Sequence, residues 1–172
     1  FIGKTVSNSI LEIILGLQRE VERLHLQRSA TPEEARRANL ELRQEMRKIN
    51  NYFPHLEDEA RTLLAKIDYT SGPLSERLTA ELANKLGFTL HYVQDLPAST
   101  RVITDEKNGR IYLPMRREGR DARTILLQAL AGHVLKHPTP SDYREYLLQR
   151  VQTNYLAGAL LMPEALAVDY LQ

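Results

Sequence analysis

The sequence predicts an α+β fold: long N-terminal helices, then a small sheet with a β-hairpin packed on helices. Three observations predict it. Apolar residues recur at helical spacing through most of the chain before Gly87. The period then falls to two over Phe88 to Leu113, with Asn108-Gly109 as a hairpin turn inside that stretch. Helical spacing resumes after Asp121 and runs on through Leu161. Helices, a short sheet and helices again make a layered α+β chain rather than an alternating parallel one.

The elements follow in order. Ile10, Ile14, Leu17, Val21 and Leu24 alternate spacings of four and three, a narrow seam flanked by Arg19, Glu20, Glu22 and Arg23. Such a stripe suits a dimer seam or connector, or a helix laid on its own domain. Thr31-Pro32-Glu33-Glu34 is a helix start, with Thr31 as N-cap and Glu34 closing a capping box. That helix should reach Asn50 and bury Ala35, Ala38, Leu42, Met46 and Ile49. Arg36, Arg37, Arg43, Arg47 and Lys48 point elsewhere, either toward phosphate or as a solvated face paired with Glu33, Glu41 and Glu45. A third helix is expected from Pro54 to about Ile67, and a fourth through Leu74, Leu78, Leu82 and Leu86, closed by Gly87 as a left-handed cap.

Phe88, Leu90 and Tyr92 alternate with Thr89, His91 and Val93 as a strand, broken by Asp95-Leu96-Pro97. Arg101 to Thr104 and Arg110 to Leu113 are the hairpin strands, and Pro114 ends the second. A helix from Ala122 to Lys136 stops before His137-Pro138. Ser141 or Asp142 caps the next, through Leu161, and Met162-Pro163-Glu164 starts a last one. Residues 1–70 read as a helical dimerisation or connector region and 71–172 as the core domain.

Composition narrows the function. The chain has 172 residues, 42 % of them apolar, enough for a real core. A formal net charge of +1 gives no global drive toward DNA or an anionic membrane. Aromatics are 6 % with no Trp, poor in stacking platforms for single-stranded nucleic acid. No apolar run approaches the roughly 20 residues of a membrane span, and the N-terminus is not a signal peptide. Zero cysteines exclude thiolate metal sites and disulfides within the chain and fit a cytoplasmic protein. Starting at Phe1 and stopping inside a predicted helix, the chain is expected to be a piece of a longer protein.

One helix has the frame of a zinc-peptidase active site without its chemistry. The His-Glu-x-x-His pattern sets two imidazoles one turn apart with a Glu beside them as general base. Here Ala129 takes the first His position and Leu130 the Glu position, and only His133 remains. His133 and His137 are four apart, but His137 falls at the helix end before Pro138, so His133 is expected to be a packed or hydrogen-bonded core histidine.

Leu86-Gly87-Phe88, Asp95-Leu96-Pro97, Gly109-Arg110-Ile111-Tyr112-Leu113, Gly132-His133 and the string Asn154-Tyr155-Leu156-Ala157-Gly158-Ala159-Leu160-Leu161-Met162-Pro163 together resemble the ImmA/IrrE metallopeptidase-like domain, over about Leu74 to Gln172. The resemblance implies a metallopeptidase-like core. In active relatives a third carboxylate ligand precedes the Asn; here Arg150, Val151, Gln152 and Thr153 supply no acid. With the ligands and base missing, the resemblance implies a domain that binds rather than cleaves, with no catalytic residue and no zinc. The helical lead-in before such a core resembles the short-chain fatty-acyl transcriptional regulators of actinobacteria, including those of acetate metabolism and the methylcitrate cycle. Those place a DNA-binding helix-turn-helix ahead of this region, so DNA would be bound only through a part absent from this chain. The resemblance further implies a homodimer whose effector is a short-chain acyl-CoA.

CoA phosphates call for Arg or Lys, adenine for a flat partner and a short acyl arm for a small apolar pocket. The candidate ligand-binding residues are therefore Arg77, Arg101, Arg110, Tyr112, Ala129, His133, Lys136 and Tyr155, with Arg116 and Arg117 as further cations. Ala129 and Leu130 would make the vacated zinc cleft apolar. Two other readings stay open: an active zinc metallopeptidase with an unusual metal site, and a pure protein-interaction module.

Overall fold

The structure, a computed structural model, describes residues 30–94, 96, 101–115 and 121–163, together with positions 14, 16–18, 20, 21, 24 and 25. Among them are five bounded helices and one three-stranded sheet: α1 (Pro32–Lys48), α2 (Pro54–Leu64), α3 (Glu76–Lys85), β1 (Thr89–Val93), β2 (Ile103–Asp105), β3 (Arg110–Pro114), α4 (Ala122–Leu135) and α5 (Tyr143–Leu161). The fold class is α+β, as expected. Ile10, Pro97, Arg116, Arg117 and the helix expected from Glu164 lie outside the described residues.

Local chemistry accounts for the boundaries. The Thr31 hydroxyl accepts from the Glu34 N–H while the Glu34 carboxylate accepts from the Thr31 N–H, so the capping box is complete. Ser75, Asp121 and Asp142 cap α3, α4 and α5 in the same way, each accepting a first-turn N–H. Two helix ends differ from expectation. Ile49 is the C-cap of α1 and stays 43 % exposed, because its backbone has left the helical register that would have turned it inward. The helix from Pro54 ends at Leu64, and Ile67 is buried from a turn instead.

After α3 the chain reverses at Gly87, φ +90°, where the Gly87 N–H reaches the Asn84 carbonyl and the Phe88 N–H the Ala83 carbonyl. Strand β3 is central: it pairs parallel with β1, Leu90 beside Ile111, and antiparallel with β2, Thr104 beside Ile111. The β2–β3 turn is held by Asp105, which accepts from the Asn108 backbone and side chain. Gly109, φ +63°, then passes so close to the Gly87 carbonyl that a methyl group there would sit 2.4 Å from its oxygen.

Alternation sorts the sheet into two faces. Ile111 and Leu113 are buried toward the helices. They join Phe88, Leu74, Leu82, Ala83 from α3 and its flanks, Leu126, Leu127, Leu130, Ala131 from α4, and Leu156, Ala157, Leu160 from α5. Ala60, Leu63, Leu64 and Ile67 enter the same core, so packing crosses residue 70. A second, smaller cluster fastens α1 to α5 through Ala38, Leu42, Tyr146 and Leu147. The opposite sheet face carries His91, Tyr112 and Ile103 side by side. Gly16 lies against it: a methyl group on Gly16 would come within 2.9 Å of the Ile103 side chain. Gly16 thus lies close against its own sheet, while Ile14 and Val21 are 42 % and 61 % exposed.

Candidate ligand-binding site

Helix α4 lies along the helix-side face of the sheet. Ala122, Leu126, Ala129 and His133 fall on one stripe of it, at steps of four, three and four. At the N-terminal end of the stripe is a cleft of about 280 Å³ that is partly open to solvent. Its floor is apolar: Ala80, Leu90, Leu113, Ala122 and Leu126. Glu76, Thr79, Tyr92 and Arg123 supply polar groups. Arg123 is fixed there. It forms an ion pair with Asp121 and donates to the Leu74 carbonyl at 3.0 Å. The paired Asp121 carboxylate raises the Arg123 pKa, and Arg123 in turn lowers that of Asp121. Arg123 is not among the residues expected from sequence; its signal is the Asp-x-Arg step at the start of α4, where an N-cap carboxylate can also hold a guanidinium.

At the other end of the stripe, His133 stands edge-on to Phe88 with ring centroids 4.7 Å apart, and its Nδ1 is 3.3 Å from Glu106 of the β2–β3 turn. That is the packed, hydrogen-bonded histidine expected. His137 turns away to Gln152, at 2.8 Å. The two histidines thus have separate partners. Leu130, at the general-base position of the zinc-peptidase pattern, is fully buried in the main core. Among the described residues no three His, Cys, Asp or Glu side chains come together as a metal site.

The sheet divides the other expected ligand residues. Arg110 and Tyr112 lie on the face away from α4, since Ile111 and Leu113 between and beyond them face it. There the neighbouring Tyr112, and more weakly Asp105, raise the Arg110 pKa, and the Tyr112 ring is 5.5 Å from that of His91. Arg101 is exposed just before β2. Arg77 is on the outer side of α3, 3.9 Å from Glu81. Lys136 is the exposed left-handed cap of α4, φ +47°. Tyr155 faces α2: its hydroxyl donates to Glu57 at 2.6 Å and its ring meets Phe53 edge-on at 5.1 Å. None of the eight lines the cleft at the start of α4; Ala129 and His133 continue its stripe, and the rest lie elsewhere.

No family model matches the chain, and no curated protein matches it. Among solved structures it is similar to a Mycobacterium tuberculosis transcriptional regulator, with a TM-score of 0.56 at 20 % identity. The similarity covers 73 % of this chain and 41 % of the regulator, so the chain spans less than half the length of the protein it resembles. At that identity the likeness is one of fold.

Proposed function

We propose that this chain is the ligand-sensing and dimerisation part of a bacterial transcription regulator, with an ImmA/IrrE-like core that has lost peptidase chemistry and binds a short-chain acyl-CoA. Helix α4 carries the reading. A metal peptidase needs donors and a base on this helix. This chain puts Ala129 and a fully buried Leu130 there and occupies His133 with Phe88 and Glu106. The stripe that remains is apolar and opens into the cleft beside Arg123. A fold shared with a regulator supports a binding role over a catalytic one.

A short acyl arm would lie on the apolar floor of the cleft, extending along the stripe toward Ala129. The cleft is partly open to solvent, so the arm would lie along its open floor and displace side chains at the rim. Phosphates would be met by cations, Arg123 on this face, or Arg101 and Arg110 around the sheet.

Calorimetric titration with acetyl-, propionyl- and butyryl-CoA against free CoA tests the proposal. Each added methylene that is buried should contribute about 0.8 kcal/mol until the floor is covered. Ala80→Phe, which fills the cleft, should erase that dependence on chain length and leave free CoA unaffected. Arg110→Glu should weaken CoA and acyl-CoA alike if the phosphates cross to its face. No binding of any of these at sub-millimolar protein would overturn the acyl-CoA assignment.

A further inference from the structure

The outward face of α1 is a basic stripe that its own helix does not neutralise. Among the described residues, helix α1 packs on α5 through Ala38, Leu42 and Met46, with Ala35 half-buried on the same side. Arg36, Leu40, Arg43 and Arg47 recur at steps of four, three and four on the opposite side, with Arg37, Gln44 and Lys48 in the adjoining row. All seven are exposed. The helix also carries four acids, Glu33, Glu34, Glu41 and Glu45, and the structure directs most of them elsewhere. Glu41 is 3.5 Å from Arg144 of α5, and Glu45 pairs with the same guanidinium. Glu34 is spent on the Thr31 N–H in the capping box. Glu33 sits in the first turn, where the positive end of the helix dipole favours it. Among the described residues, none of the five cations has a carboxylate within 4.0 Å. The expected pairing of these cations with Glu33, Glu41 and Glu45 is therefore corrected: α5 competes for the acids through Arg144 and wins.

We infer that, contrary to the expectation that DNA is bound only through a part absent from this chain, this stripe is a sequence-neutral contact for the phosphate backbone of duplex DNA. Arg36 to Arg47 spans about 16 Å of rigid helix, and duplex DNA offers a negative charge every ~1.7 Å of its axis. Four of the five cations are arginines, whose planar forks suit phosphate oxygens. The apolar face of the helix is already buried on α5, and a single outward leucine gives no apolar face to lay into a bilayer. Leu40 is the one large apolar side chain on the outward stripe, too little for the apolar centre of a protein interface. Backbone contacts position a protein without reading bases, so the stripe would add to whatever element of a longer chain selects the site. Choosing DNA among polyanions rests on the regulator reading; the charge geometry does not.

The test is fluorescence anisotropy of the 172-residue chain with a random 30-bp duplex, from about 50 to 200 mM salt. Three proteins are compared: wild type, Arg36→Gln/Arg43→Gln/Arg47→Gln, and a charge-matched control, Lys66→Gln/Lys85→Gln/Lys107→Gln. Each phosphate contact contributes about 0.9 to the slope of log affinity against log salt. The α1 triple should lower that slope by about two to three, and the control should leave it within about one unit. An Arg→Lys triple at the same three α1 positions should retain the slope, which separates lost charge from a damaged fold. Absence of wild-type binding at the lowest salt, equal losses in the α1 triple and the control, or tighter binding to polyglutamate or phosphatidylserine vesicles than to duplex would each overturn the inference. No acyl-CoA is present in the assay, so its failure is distinct from failure of the effector assignment.

Discussion

Tyr155 shows how one side chain records its surroundings. Burial, aided by its hydrogen bond to Glu57, pushes its pKa to about 12. The folded protein thus holds the phenol proton more tightly than the unfolded chain, whose tyrosines release it near 10.0. The stability this provides is complete below pH 10 and is lost as pH rises toward 12, because the unfolded state ionises first. Melting temperature of the wild type should therefore fall more steeply between pH 10 and 12 than that of Tyr155→Phe. At neutral pH that variant should cost about 1 kcal/mol by urea denaturation; parallel pH curves would place the effect elsewhere, for instance at Tyr69, which is shifted in the same direction. Leu130 makes the complementary case. It is fully buried among leucines, so Leu130→Glu would bury an unpaired carboxylate and should cost at least about 3 kcal/mol. Rebuilding the peptidase pattern in this helix is thus opposed by the core, and a Leu130→Glu protein as stable as wild type would contradict the packing described.

Elements are specified by short-range chemistry where that chemistry is strong. Thr31→Ala removes one half of a complete capping box and should lower stability by about 1 kcal/mol, read from the urea midpoint. At Gly109 a side chain meets two obstacles together, a left-handed backbone and the Gly87 carbonyl 2.4 Å from the new methyl group. Gly109→Ala should destabilise by about 1 to 3 kcal/mol, more than a substitution at an unconstrained turn. The Asn108-Gly109 signal and the β-period on either side were legible in the chain, as were the caps of α1 and the glycine stop of α3. The parallel pairing of β1 with β3 was not, because nothing local to either strand encodes its non-adjacent neighbour.

At the scale of the whole molecule, the first helical stretch answers to two surfaces. Gly16 lets it approach Ile103 on the sheet, and Leu17 and Leu24 are half-buried, while Ile14 and Val21 point to solvent. That leaves an apolar edge suited to a second copy of the chain. For the proposed dimer, Ile14→Asp/Val21→Asp should raise the dissociation constant at least about tenfold in sedimentation equilibrium, a change of about 1.4 kcal/mol. An equally tight dimer would move the interface off this helix. Among the described residues no helix is long and apolar enough to cross a membrane.

The chain by itself determined the order of helices and strands, the capping box that starts α1, the α+β class and the apolar pair Ala129 and Leu130 in the middle of α4. These depend on residues a few positions apart, whose periodicity and turn chemistry act before any tertiary contact forms. Tertiary structure decided the rest. It set Arg110 and Tyr112 on the opposite side of the sheet from Ala129 and His133, because the pleat alternates once strand pairing is chosen. It brought Arg123 to the cleft through the carbonyl of Leu74, a residue 49 positions earlier in the chain. And it took Glu41 and Glu45 away from the arginines beside them, since Arg144, remote in sequence, comes within reach only when α1 packs on α5.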